Sequence, residues 1–464
     1  MAALRDPYRM WYVEQDIMRK SDHPFSNFGC GNITTLESLD QNSIRNWFTQ
    51  EYDPRGMHLV VEGREPLDIL EGKIKERFGK IPYSQKWKGP VRAEPEGNII
   101  PRHVLQSWVY VEPIKDFRNL RMMWEIPFRF ANWGNRAAVV AAAVLSEEGE
   151  GSVFAKLKEH EYATSFSAEA ENEASDAAFF YVNAELTEHG VKQVKKVVEI
   201  IFQAISMLGR LDLPVYAVEQ HNVLSELNFK WQSRQTEYRL FADTVYSMRQ
   251  EDFLDYPQKN LFWEYNPYDV SDLFRNYLVP SKSIIFVQAK ASPGHLVIFD
   301  RTDPIVGVKY SLVPFSKGEK SDFDDSQRTS VTDIRYPKPS TFIPDKDVKV
   351  IHPQNPENVD RPRWQPAPIH LDPCDNPTKR SVESGVMDLY MSPDVEFGIP
   401  KIDLKVSLFS PKLNISGDPH MEVIGELWIK AVMRRLQILK AESEAAGYRY
   451  TLHWSQLMKF CHFN

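Results

Sequence analysis

No two histidines of this chain stand three to five residues apart. The twelve fall at positions 23, 58, 103, 160, 189, 221, 295, 352, 370, 420, 453 and 462, so neither H-E-x-x-H nor H-x-x-E-H occurs. Those spacings place two imidazoles on one helical face around a zinc ion, with a glutamate beside them to take a proton from the bound water. The nearest approach, His160-Glu161-Tyr162-Ala163-Thr164, has threonine where the second ligand would stand. Cysteine is scarce as well. Cys30, Cys374 and Cys461 lie too far apart for a metal spacing and are too few for a disulfide framework, and they read as reduced structural thiols.

Long apolar runs are also missing. The longest, 137–145, is about half a membrane span, and Arg5, Asp6, Arg9, Glu14, Asp16, Arg19 and Lys20 break up the first twenty residues. Neither a spanning helix nor a secretory signal is expected, which implies a cytoplasmic address and no membrane partner. Lysine and arginine are outnumbered, 56 against 64 acidic residues, for a net charge of −8 with no basic run; nucleic acid is therefore not an expected partner. Glycine patterns for phosphate or for a serine nucleophile are absent: Gly149-Glu150-Gly151-Ser152 is not G-x-S-x-G, and Gly29-Cys30-Gly31-Asn32 does not continue into a third glycine or Gly-Lys-Ser/Thr.

What is there is a soluble composition, 42% hydrophobic and 26% charged, in 464 residues, long enough for two or three cores. Helical spacing predicts a helix from Gln41 to Tyr52 and another through Leu67, Ile69, Leu70, Ile74 and Phe78 to a Gly79 stop, with a strand at Met57–Val61 between them. Residues 83–100 read as a linker. Strands are expected at Gln106–Pro113, Leu120–Ile126, Ala177–Leu186, Ser283–Gln288 and Gly294–Phe299. Helices are expected at 137–145, from Ser152, and across 215–250. The strongest period runs from Val191 to Leu208, behind a Thr187 cap. The acidic Asp322-Phe323-Asp324-Asp325 reads as a solvated loop. Ten prolines between Pro337 and Pro377 mark an extended connector, and a further unit opens near Val386 with a strand at Ile402–Leu408 and a helix from Glu422 to Ala445.

Several motifs, taken in order, carry a resemblance: His23-Pro24-Phe25-Ser26-Asn27-Phe28-Gly29-Cys30-Gly31-Asn32, Leu59–Asp68, Pro113–Leu120, Glu148–Ser152, Leu186–Gly190, Ile399–Lys401 and Phe409–Pro411. They are similar, collinearly and over nearly the whole chain, to the insulinase family of inverted-motif zinc metallopeptidases. The resemblance implies an α+β fold of repeated domains, each an antiparallel sheet covered by helices. It divides the chain into the C-terminal half of a first, catalytic-type domain (1–98), a complete second domain (99–350), a proline-rich linker (351–378) and the N-terminal part of a third domain (379–464).

In the family the zinc ligands lie upstream of the segment resembling residues 6–32. The resemblance therefore implies zinc as the family's cofactor but none held by this chain, no catalytic residue in it, and inactivity when it is alone. It also implies peptide ligands held by strand addition near a glycine-rich turn, here Glu147, Glu148, Gly149, Glu150 and Gly151, beside an edge strand near Ser165–Ala168. Glu147 stands where the family has histidine. Ser167 and Ala168 stand where it often has glycine. The candidate peptide-binding residues are Glu147, Glu148, Gly149, Gly151, Phe166 and Ala168. Expected partners are peptides and either a second copy or a complementing insulinase-family chain. The alternative implied is a part of an active zinc endopeptidase of short peptides, completed by upstream sequence or a partner.

Overall fold

A computed structural model describes residues 6–18, 29, 31, 33–87, 89, 99–131, 135–172, 178–231, 237–250, 265–290, 298–329, 333–336, 338–343, 367–368, 390–391, 406–408, 419–455 and 460–463. The chain divides into two units. The larger unit (1–226, 234–342 and 435–448) is built on a seven-stranded sheet: β1 (Ser107–Val111), β2 (Asn119–Ile126), β3 (Ala163–Asn172), β4 (Ala178–Leu186), β5 (Ser283–Gln288), β6 (Arg301–Thr302) and β7 (Lys309–Pro314). Their order is β3-β4-β2-β5-β1-β7-β6, so β3 and the two-residue β6 form the edges. Every neighbouring pair is antiparallel except β1 with β5. The expected α+β class is the one observed.

The sheet is buried on both faces, which is why SWVYV, AFFYV and SIIFVQ read as nearly unbroken apolar runs. Alternation still sorts the side chains. Trp108, Met122, Trp124, Phe180, Val182, Ile285 and Val287 enter one core, while Val109, Val111, Met123, Phe179, Tyr181, Ile284 and Phe286 enter the other. The second core is closed by α1 (Asp6–Met18) through Met10, Val13, Ile17 and Met18. Polar contacts fix that helix: the Asp6 carboxylate accepts from the backbone N–H groups of Ile114 and Lys115 at 2.6 and 2.9 Å, and the Arg121 guanidinium donates to Glu14 at 3.0 Å.

The first core is covered by helices. The helix at Ala137–Leu145 (α4) is apolar all round and almost wholly buried. Val153–Glu159 (α5) starts on a Ser152 cap, whose hydroxyl accepts from the Ala155 N–H. The strong period forms Val194–Arg210 (α6), but Thr187 does not cap it. That threonine caps a separate turn, Glu188–Lys192, which breaks at Gln193 (φ −115, ψ 25) before α6 begins.

Three further expectations are corrected. Met57–Val61 is not a strand: residues 57–63 lie outside regular structure, and among the described residues no strand pairs with them. Asp322–Asp325 is not a loop but lies within the helix Lys317–Arg328 (α7), started by a reciprocal Ser316–Glu319 capping box and anchored by buried Phe323. Of the expected strand Gly294–Phe299, residues 294–297 lie outside the described residues and 298–300 are irregular; the strand is Arg301–Thr302 instead.

Helices occur at Gln41–Glu51 (α2), Leu67–Phe78 (α3), Val215–Lys230 and Glu237–Gln250, as the spacing predicts. The expected helix from Glu422 to Ala445 is two, Pro419–Arg435 (α8) and Gln437–Ala445 (α9), separated at Leu436. Most of α8 belongs to the smaller unit, where Val406–Leu408, Phe460–Phe463 and Leu452–Ser455 form a three-stranded antiparallel sheet. Most of the 83–100 linker, nearly all of the proline-rich connector, and the His23–Asn32, Ile399–Lys401 and Phe409–Pro411 motifs apart from Gly29 and Gly31 lie outside the described residues.

Candidate functional site

The six candidate residues fall on both sides of one sheet edge. Helix α4 ends at Ser146, and the chain turns through Glu147, Glu148, Gly149, Glu150 and Gly151 into α5, bringing the turn alongside β3. Glu147, Glu148 and Gly149 line a cleft of about 470 Å³ together with Ala143, Ser146, Gln437, Lys440, Glu442 and Glu444. Gly151 sits apart from it, at φ +85, where its carbonyl accepts from the Arg335 N–H at 3.1 Å. A Cβ there would fall 2.6 Å from Arg335 Cγ, whereas one on Gly149 would meet only Glu442 Oε1 at 3.9 Å. Backbone shape demands glycine at 151 and not at 149.

Phe166 and Ala168 are on β3. The Phe166 ring is 6% exposed and lies in the first core, and Ala168 packs against that core, so any peptide contact at these two positions is through their backbone. The Ser146 hydroxyl accepts from the Ala168 N–H at 2.7 Å and donates to the Ala168 carbonyl at 3.1 Å. Ala168 therefore turns its hydrogen-bonding groups away from β4, and strand alternation turns those of Phe166 and Ala170 the same way. This is the outer edge of the sheet, and among the described residues no strand lies beyond it.

The cleft is acidic. Four glutamates, 147, 148, 442 and 444, share it with one lysine, and Lys440 is itself 3.6 Å from Glu444. The Glu147 carboxyl is pushed above the usual carboxylate range, first by loss of hydration and then by the charges of Glu442 and Glu148. A cation entering the cleft would relieve that repulsion. Glu150 points elsewhere, pairing with Arg335 at 2.7 Å and Lys338 at 3.6 Å. Neither Glu442 nor Glu444 was in the expected set: almost three hundred residues separate them from the turn, and no local pattern links the two. Ser146, adjacent to the turn, carries no motif of its own.

A helix-covered, largely antiparallel sheet with a glycine turn at its open edge is the α+β architecture that the sequence resemblance implies. Comparisons with known proteins agree. The family profiles described as "Middle or third domain of peptidase_M16" and "Peptidase M16 inactive domain" match residues 229–460 and 38–221. The chain belongs to the peptidase M16, or insulinase, family. It is 24% identical to insulin-degrading enzyme-like 1, peroxisomal, of Arabidopsis thaliana over 96% of this chain and 44% of that one. To human insulin-degrading enzyme it is 22% identical, over 97% and 42%. The crystal structure of pitrilysin superposes with a TM-score of 0.77 at 17% identity, a likeness of fold that covers 98% of this chain and 46% of pitrilysin. The chain spans less than half the length of these relatives.

The zinc implied by the family finds no ligand set among the described residues. Among the described residues no group of three or more His, Cys, Asp or Glu side chains is disposed to hold an ion. At the nearest sequence approach, His160 ends α5 and stacks on Tyr162 with ring centroids 5.4 Å apart, while Glu161 takes a left-handed backbone (φ 57). Among the described residues no helix is long and apolar enough to cross a membrane.

Proposed function

We propose that this chain is a non-hydrolysing peptide-binding polypeptide of the M16 family, which takes an extended peptide by strand addition to β3 and holds its terminal ammonium in the acidic cleft. The observation that carries the reading is the adjacency of an open sheet edge to a cleft with four glutamates. Backbone pairing gives affinity with little side-chain selection, and the carboxylates select a free N-terminus. The domain division at 98, 350 and 378 belongs to this proposal. So does the absence of hydrolysis by the chain alone, since no two histidines have the H-x-x-E-H or H-E-x-x-H spacing that positions an activated water.

The test is fluorescence anisotropy with a labelled ten-residue peptide, once with a free and once with an acetylated N-terminus. Weaker binding after acetylation, with the peptide intact after incubation with zinc, is expected. Equal affinity for both forms sinks the ammonium site, and chelator-sensitive cleavage sinks the non-hydrolysing reading.

One observation favours a second reading, in which these residues are part of an active zinc endopeptidase completed by further sequence or by a partner chain. Helices α2 and α3 bury no residue, and Ile44, Trp47, Phe48, Leu67, Ile69 and Phe78 are all exposed. Mixing the chain with a family polypeptide that bears H-x-x-E-H, and assaying a quenched peptide, tests it. Cleavage by the mixture that neither component gives alone is the expected outcome, and no gain over the separate components overturns it.

A further inference from the structure

Resting on the peptide-binding reading above, we propose that Ser146 is the access-determining residue of this edge, a side-chain stopper that occupies the pairing groups an incoming peptide needs. In a strand the outward-facing positions recur every second residue, about 6.8 Å apart. On β3 they are Phe166, Ala168, Ala170 and Asn172, given the register of Ala168 with Val182 and Ala170 with Phe180. Ser146 takes both groups of the second position, with contacts of 2.7 and 3.1 Å to Ala168. The remaining edge is split into a single position at Phe166 and a pair at Ala170 and Asn172. The first piece is too short for a paired strand, and the second, three residues from Ala170 to Asn172, is at the lower limit of strand length.

The hydroxyl is well placed to hold. Ser146 ends α4, its backbone N–H pointing to the carbonyls of Ala142 and Val144, and α4 is one of the most deeply buried helices of the unit. Its carrier therefore does not drift, and the hydroxyl is delivered to Ala168 by the helix end. One hydroxyl both donates and accepts there, imitating the two backbone bonds that a paired strand would supply. Removing an exposed edge from pairing is also how sheets resist unwanted association. Here the closed position adjoins the acidic cleft, because Ser146 lines that cleft as well. A peptide that reaches the glutamates and also pairs along β3 must displace this side chain, so Ser146 sets how tightly a peptide is held.

The experiment uses the full chain with Ser146→Ala and Ser146→Thr, the free-N-terminus peptide above as probe, and hydrogen exchange of the segment 163–172 in the absence of peptide. Circular dichroism confirms that the variants fold. Ser146→Ala is expected to exchange faster across 163–172 and to bind the probe roughly 10-fold tighter, the size of one to two modest hydrogen bonds no longer competing. Ser146→Thr, which keeps the hydroxyl, is expected to behave as wild type. Binding by wild type with equal affinity in Ser146→Ala overturns the stopper and leaves the peptide-binding reading standing. Binding by none of the three proteins overturns that reading and the stopper with it.

Discussion

At the scale of single residues, the two glycines of the turn are not equivalent. Gly151→Ala must place a Cβ against Arg335 at φ +85, and a loss of about 1–3 kcal/mol is expected. Gly149→Ala is expected to stay within about 0.5 kcal/mol of wild type. Urea midpoints of the two variants give the comparison directly. His221 supplies a pH dependence. Its imidazole is pushed down to about 4, first by loss of hydration and then by the charge of Arg136, and its Nε2 lies 3.2 Å from Ser225 Oγ. The folded state therefore binds its proton less readily than the unfolded chain does. This contribution to stability is complete above the ordinary histidine value of 6.5 and is lost as pH falls towards 4. Allowing for partial exposure of the ring, about 1–2 kcal/mol of it should vanish between pH 7 and 4.5. His221→Gln should flatten that part of the profile in urea titrations, and an unchanged slope would refute the assignment.

At the scale of elements, local chemistry was legible wherever it acted alone. The alanine-rich stretch is helical over 137–145 because every residue is a good helix former or finds core on all sides. Gly79 ends α3 as its position suggests, its N–H bonded to the Lys75 carbonyl. Where partners decided, the sequence was silent. Met57, Leu59 and Val61 alternate like a strand, yet all three are exposed and among the described residues have no ladder to join. The acidic run at Asp322 hid a helix because only Phe323 and Ser326 of α7 are buried, leaving too weak a period to see, while the signal that does specify it lies upstream in Ser316 and Glu319. Ser316→Ala removes the hydroxyl that accepts from the Glu319 N–H, and should cost about 1 kcal/mol with faster hydrogen exchange in the first turn of α7. Unaltered exchange there would show that packing of Phe323 alone holds the helix. The acidic cleft was the least legible feature. Its turn half was readable from resemblance, but Glu442 and Glu444 arrive on α9 only through tertiary structure.

At the scale of the whole molecule, a buried seven-stranded sheet coexists with a large exposed apolar surface between residues 33 and 83. Ile33 is 85% and Leu67 81% exposed, and Trp47, Phe48 and Tyr52 form an aromatic group in which the Phe48 and Tyr52 rings stack at 4.6 Å. Surfaces of this kind bind other apolar surfaces. The chain should bind an environment-sensitive hydrophobic dye and self-associate as concentration rises, and Trp47→Glu with Phe48→Glu should reduce both, as read by dye fluorescence and sedimentation velocity. A concentration-independent monomer that ignores the dye would contradict this. The central sheet carries a consequence of a different kind. β1 is held between β5 and β7, with Ser107 opposite both Ile284 and Pro314. Its ladder partners are thus made long after it is. At ordinary synthesis rates the interval is roughly 10–40 s. Throughout it, the apolar run Ser107–Val111 is outside the ribosome with neither neighbour present, so a strand that ends up interior to the sheet, next to central β5, depends on chaperone protection at birth.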